Sequence, residues 1–111
     1  MRTFRREHDM KEIKLLMEHI EDEVCDAHTY AELAVEYQST DPETAELFYK
    51  LSGEEMSHMY ALHKNVVRLI EAYRREKGEP PADMMAVYEY LHKRMIEKVE
   101  KAGVVQGMYK R

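Results

Sequence analysis

The placement of proline constrains this chain of 111 residues more than any other feature. Its three prolines stand in two internal segments, STDPETA at residues 39–45 and KGEPPAD at residues 77–83. Pro42 suits the first turn of a helix, whereas Gly78 suits a helix end and the proline pair after it blocks continuation. Three helices are therefore predicted, at about residues 7–38, 42–77 and 82–102.

Residues beside these breaks can complete the helix ends. Either Thr40 or Asp41 can cap the second helix, and Glu43 can form a capping box with Thr40. Gly103 and Gly107 are expected to end the third helix, because glycine weakens a helix and favours its terminus.

The composition favours one helical domain over residues 1–111. Hydrophobic residues make up 44% of the chain and charged residues 35%, with only 4 Gly and 3 Pro, which is typical of long helices. Long helices joined by a link of few residues pack antiparallel as a hairpin. We therefore expect an all-α fold in which a helical hairpin carries a shorter third helix.

Charge and hydropathy exclude several classes of function. The net charge of -5 disfavours a nucleic-acid partner. No apolar run approaches the roughly 20 residues of a membrane span, and none follows the basic N-terminus as in a secretory signal. Cys25 is the only cysteine, so a disulfide within one chain is excluded, and we expect the Cys25 side chain to be packed in the protein interior. We also expect the protein to be cytoplasmic, either free or inside a protein compartment. A solvated acidic face is expected at Glu21, Asp22 and Asp26.

Alternating steps of three and four residues select one apolar row on each of the first two helices. Glu23 interrupts the first row, and Glu55 and His58 interrupt the second in succession. Burying an unpaired carboxylate costs roughly several kcal/mol, so each needs a proton, a cation or a metal. The predicted rows are Ile13, Leu16, Ile20, Glu23, Ala27, Tyr30, Ala34 and Tyr37, then Phe48, Leu51, Glu55, His58, Leu62, Asn65 or Val66, and Leu69.

The three interrupting residues are expected at one level of the hairpin. The connection centres near residue 40; Glu23 lies 17 residues before it, and Glu55 and His58 lie 15 and 18 residues after it. Residues spaced i, i+3 also share one side of a helix. We therefore predict that these side chains meet.

Carboxylate and imidazole ligands suit iron, manganese or zinc. One hairpin supplies two carboxylates and one imidazole. Two hairpins related by a two-fold axis would supply four carboxylates and two imidazoles, the ligand set of a di-metal site in a four-helix bundle. The ligands thus predict a bundle completed by dimerisation, in a homodimer or a higher homo-oligomer.

In type and spacing, Glu23, Tyr30, Glu55 and His58 resemble the ferritin-like di-iron carboxylate superfamily, and especially its half-length encapsulated ferritin and rubrerythrin-like members. The resemblance covers about residues 15–70. It implies that Glu23 bridges or caps a metal, that Glu55 bridges, and that His58 is a terminal ligand. It also implies that Tyr30 holds a carboxylate or passes an electron. The implied activity is a ferroxidase with two iron ions per dimer, which oxidises ferrous iron with dioxygen or peroxide for storage or detoxification.

The chain departs from these families in several respects. It has no fourth long helix and no pair of Cys-x-x-Cys motifs for a rubrerythrin electron relay. The tail GVVQGMYKR, residues 103–111, resembles a cargo peptide in composition and so implies an encapsulating shell protein as partner. It nevertheless follows the third helix directly, without a linker.

Other interpretations stay open. A second Glu-x-x-His pair, Glu89 and His92, could ligate a metal on the third helix. The chain could also be a non-enzymatic helical-hairpin adaptor or oligomerisation protein, or could hold manganese or zinc without oxidising iron. Finally, the buried row of the second helix could be rotated, since another set shares a face: Ser52, Met56, Met59 and Val66.

Overall fold

The computed structural model describes the backbone of residues 6–110 and the side chains of residues 11–110. The N-terminal residues 1–5, on which the expectation about a secretory signal partly rests, lie outside this range. Within it the chain is all α-helical and contains no strand. Its helices are α1 (Arg6–Tyr37), α2 (Pro42–Lys77) and α3 (Ala82–Met108).

The connection between α1 and α2 is short because both helix ends are satisfied locally. The carbonyl of Tyr37 accepts hydrogen bonds from the N–H groups of Thr40 and Asp41, at 3.2 and 2.9 Å. Asp41 caps α2, since its carboxylate accepts from the backbone N–H of Thr44 at 3.2 Å and from its hydroxyl at 2.7 Å. Of the two caps predicted from the sequence, Asp41 is therefore confirmed, and it takes the place of the capping box between Thr40 and Glu43.

The end of α2 follows the prediction from sequence. Gly78 adopts a positive φ of 85° and donates its N–H to the carbonyl of Arg74 at 3.1 Å. Residues that carry a side chain rarely adopt this backbone conformation, so glycine suits the position.

The buried row of α1 is rotated from the predicted one. Half of the prediction is confirmed, but Leu16, Glu23 and Tyr30 are only partly buried and Tyr37 is exposed. Helix α3 packs along α1, so burial shifts toward α3 and away from these four positions. The buried residues of α1 are Ile13, Met17, Ile20, Val24, Ala27, Ala31 and Ala34.

Helix α2 shows the same rotation. Its buried residues include the alternative row Ser52, Met56, Met59 and Val66, so this interpretation is confirmed. Glu55 stands beside the buried row, and His58 is exposed. Three residues of α3 complete the core: Met84, Met95 and Ala102.

The predicted end of the third helix at residue 102 is wrong, because α3 continues to Met108. Gly103 and Gly107 lie inside the helix, which costs roughly 1 kcal/mol each relative to alanine. Tertiary contacts offset that cost. The Gln106 side chain donates to the hydroxyl of Ser52 at 2.8 Å, and just beyond the helix the Tyr109 ring stacks on Tyr49 at 4.6 Å.

An ion-pair network joins α1 and α3. The Glu21 carboxylate accepts hydrogen bonds from Arg94 at 2.7 Å and from Lys98 at 2.5 Å. Glu21 is thus part of a helix contact rather than of the solvated acidic face that we expected. The hydrogen bond from Lys98 is the largest of the effects that hold the pKa of Glu21 below its ordinary value.

The molecule is elongated, with extents of 56 × 25 × 17 Å. In the described part of the chain, no helix carries an apolar stretch long enough to cross a bilayer.

Candidate metal site

The hairpin brings Glu23, Glu55 and His58 together, as the residue count predicts. Glu23 projects from α1, and Glu55 and His58 project from adjacent turns of α2. One possible ligand atom of each residue lies within 4.8 Å of the other two. No other group of three or more His, Cys, Asp or Glu side chains meets this condition among the described residues.

The distances within this group suit a metal after small side-chain movements. His58 Nδ1 lies 3.6 Å from Glu23 Oε2 and 3.8 Å from Glu55 Oε1. Metal–ligand bonds of about 2.0–2.2 Å place neighbouring ligand atoms roughly 3.0–3.5 Å apart. Each ligand atom would thus have to move by less than about 1 Å, which side-chain rotation allows.

Within the described part of the chain, His58 is the cationic partner of the two carboxylates. Of the residues that the structure describes, no lysine or arginine forms an ion pair with Glu23 or Glu55; their ion-pair contacts are with the imidazole of His58. With that imidazole neutral, the group carries two negative charges held close together. Such a cluster favours a cation.

The site lies at the rim of the core and is open on one side. The side chains of Glu55, Glu23 and His58 are 19%, 27% and 60% exposed. Glu21 contacts α3, and a helix of 3.6 residues per turn directs Glu23 about 200° away from it. The three ligand candidates therefore occupy the face of the hairpin that α3 leaves uncovered.

Tyr30 forms no hydrogen bond with the ligand candidates in the described part of the chain. Its ring stacks on Phe48 with centroids 6.0 Å apart, and Phe48 stacks in turn on Tyr37 at 6.1 Å. No hydrogen bond among the described residues joins Tyr30 to Glu23, which is two helical turns away. A role for Tyr30 in holding a carboxylate of this chain has no contact to support it.

The second Glu-x-x-His pair does not form a ligand cluster. Glu89 is exposed, whereas His92 is partly buried and stacks on the rings of His63 and Tyr88. The sequence pattern singled out His92 together with Glu89, but it did not predict His63 as the neighbour of His92. The missing information is the alignment of α2 with α3, which no local signal specifies.

Cys25 is exposed, contrary to the expectation of a packed residue. It lies with Val24, His28, Lys98 and Lys101 along a cleft of about 200 Å³ between α1 and α3. The Lys98 ammonium is 3.7 Å from the thiol sulfur. This cleft is on the α3 side of α1, away from the metal site.

Fold and site together define a small all-α protein with a carboxylate–imidazole cluster on an uncovered hairpin face. No protein-family model, curated protein or solved structure matches the chain. The chemistry of the site is therefore the basis for any functional assignment.

Proposed function

We propose that the chain is a ferroxidase, which binds ferrous iron at Glu23, Glu55 and His58 and oxidises it. The observation that supports this proposal best is the convergence of these three side chains from two helices, where no described lysine or arginine pairs with the two carboxylates. Two carboxylates and one imidazole suit iron in the ferrous state, and they also suit manganese or zinc.

In this proposal a second copy of the chain completes the site across a two-fold axis. Three ligands from one chain leave a metal open on one side, and the symmetry mate would supply three more. The uncovered hairpin face also carries apolar side chains that a partner would bury. They lie on the same helix faces as the ligand candidates: Leu16 and Tyr37 on α1, and Leu47, Leu51 and Leu62 on α2.

The resulting assembly would be a four-helix bundle of two hairpins, as in the ferritin-like superfamily that the residue spacing resembles. Helix α3 lies on the other side of the hairpin and leaves this face accessible. An encapsulating shell protein stays a prediction. The tail that would carry a cargo signal packs on the hairpin through Gln106, Tyr109 and Lys110.

Each residue has a role in the proposed reaction, in which ferrous ions are the substrate. Two ferrous ions together release two electrons, which with two protons reduce dioxygen to hydrogen peroxide, or hydrogen peroxide to two molecules of water. Glu23 and Glu55 bind the ions and offset their charge, and the neutral imidazole of His58 donates a lone pair from Nδ1. The apolar side chains around the site would exclude water once the dimer forms. Tyr30 enters only as a nearby phenol that can supply an electron.

The test combines metal content with the mass of the assembly. Protein loaded with ferrous iron without oxygen should hold about one metal per chain in a particle of at least two chains. Admitting oxygen should then convert ferrous to ferric iron, followed by absorbance. The Glu55→Ala variant should lose metal and oxidation, whereas Glu54→Ala, the exposed neighbouring carboxylate, should keep both.

A folded dimer that takes up no metal would contradict the oxidase and support the adaptor. One observation favours that rival: His58 is exposed, so the ligand candidates do not require a metal for stability in the single chain. A dimer that binds manganese or zinc but leaves ferrous iron unoxidised would instead support a metal site without ferroxidase chemistry.

A further inference from the structure

Two imidazoles face each other where α2 meets α3, on the side of the hairpin away from the metal site. The ring of His63 on α2 stacks on the ring of His92 on α3, with centroids 5.0 Å apart and planes 13° from parallel. Tyr88 completes the cluster. Its ring lies 5.4 Å from that of His92, and its hydroxyl oxygen is 3.2 Å from His63 Nε2.

The surroundings disfavour a charge on this pair. His63, Tyr88 and His92 are all partly buried, and no carboxylate among the described residues forms an ion pair with either imidazole. Burial lowers the pKa of His63, and the nearby charge of His92 lowers it further. The groups of α3 that face His63 are His92 and Tyr88, and among the described side chains of α1, from residue 11 onward, no titratable group contributes to this shift.

The stack is more sensitive to protonation than the hydrogen bond. When His63 is neutral, the tautomer decides whether Nε2 donates to the Tyr88 oxygen or accepts from its hydroxyl. When His63 is protonated, Nε2 can still donate, and burial keeps Tyr88 protonated by raising its pKa. Two imidazolium rings at 5.0 Å repel each other, however, and desolvation adds to the cost.

The contact between α3 and α1 does not share this sensitivity. It includes the pair of Glu21 with Lys98 and Arg94. Hydrogen bonding to Lys98 is the largest cause of the lowered pKa of Glu21, and the pKa of Lys98 is raised chiefly by the same bond. These groups keep their charges in the range where histidine titrates. Of these two contacts made by α3, mild acid should therefore act on the one with α2.

The geometry points to a pH-sensitive latch, in which stacked neutral His63 and His92 hold α3 against α2 and protonation of both rings opens this contact. The latch is closed above the ordinary histidine pKa of 6.5, and it opens only below that value because burial lowers the pKa of His63. Helix α3 then stays on α1 while its distance from α2 increases. This inference does not depend on the proposed ferroxidase, because none of its groups belongs to the metal site.

Spin labels on the two helices test the latch in the full chain. Lys64→Cys and Lys93→Cys place labels beside the two imidazoles, on exposed positions and in a Cys25→Ser background. Between about pH 7.5 and about pH 5, the distance distribution should gain a longer population, severalfold larger at the lower pH. The His92→Gln variant, which cannot acquire the second charge, should lose this pH dependence.

A second label pair separates local opening from unfolding. Labels at Glu18→Cys on α1 and Glu97→Cys on α3 should keep one distance over the same pH range. An α2–α3 distance that does not change with pH, or that changes equally in His92→Gln, would overturn the latch. So would a simultaneous change of both label pairs. If His92→Gln does not fold, His63→Gln provides the same comparison.

Discussion

His58 Nδ1 lies 3.6 Å from a carboxylate oxygen of Glu23, although the two residues belong to different helices. An exposed ion pair of this kind contributes only about 0–1 kcal/mol to folding. The pair also has Glu55 beside it, and two neighbouring carboxylates repel each other. The cluster therefore contributes little to stability without a cation, which agrees with the metal site that we propose.

Replacing Glu55 with alanine should remove metal uptake and iron oxidation without destabilising the metal-free protein. The change removes one of two like charges, so the free energy of unfolding should stay within about 1 kcal/mol of the wild type or rise slightly. Thermal unfolding in a chelating buffer measures this. A large loss of metal-free stability would show that Glu55 is a structural partner instead.

Dimerisation should protect from solvent the ligand face, which is the hairpin face that carries Glu23, Glu55 and His58. It should leave the opposite side of α1 accessible. Leu47 is exposed on the ligand face of α2, whereas Cys25 is exposed on the α3 side. A thiol introduced as Leu47→Cys, in a Cys25→Ser background, should react more slowly at micromolar protein than after strong dilution. The native Cys25 thiol should react at the same rate at both concentrations. Protection of Cys25 rather than of position 47 would place the dimer contact on the α3 side of α1 and contradict the proposed dimer.

Ser52→Ala should destabilise the fold by roughly 1–3 kcal/mol. The Ser52 hydroxyl is fully buried, donates to the carbonyl of Ala27 at 2.6 Å and accepts from the Gln106 side chain at 2.8 Å. Its loss leaves the amide of Gln106 without this partner. Ser57→Ala is the matched control and should change stability little, because the exposed Ser57 hydroxyl donates to the carbonyl of Gly53, one turn earlier in the same helix. Chemical denaturation compares the two variants.

Glu21→Gln should lower stability by up to about 1 kcal/mol near neutral pH, and the difference should vanish in acid. The pKa of Glu21 is lowered in the folded state, so its ion pairs contribute fully above the ordinary value of 4.5. This contribution is lost as the pH falls through the lower folded-state value, because the folded carboxylate then takes up a proton. Unfolding curves from pH 7 downward measure the difference, which should also shrink in high salt. A difference independent of pH would mean that Glu21 acts through packing.

The sequence predicts the ends of helices well where residues close in the chain determine them. Pro42, Asp41 and Gly78 act within one or two turns of the backbone, so the limits of α1 and α2 follow from residues that are close in the chain. The level at which Glu23 meets Glu55 and His58 also follows from the sequence. It requires only the position of the hairpin connection and the rise of a helix.

Tertiary structure decided the rest. Local periodicity leaves two adjacent rows on each helix as candidates for burial, and the packing of α3 selects the row of Met17 and Val24 over that of Leu16 and Glu23. The same packing extends α3 past Gly103, exposes Cys25 and pairs Glu21 with Lys98. Such contacts join residues distant in the chain, so their free energies depend on how whole helices pack and have no signature in a short segment.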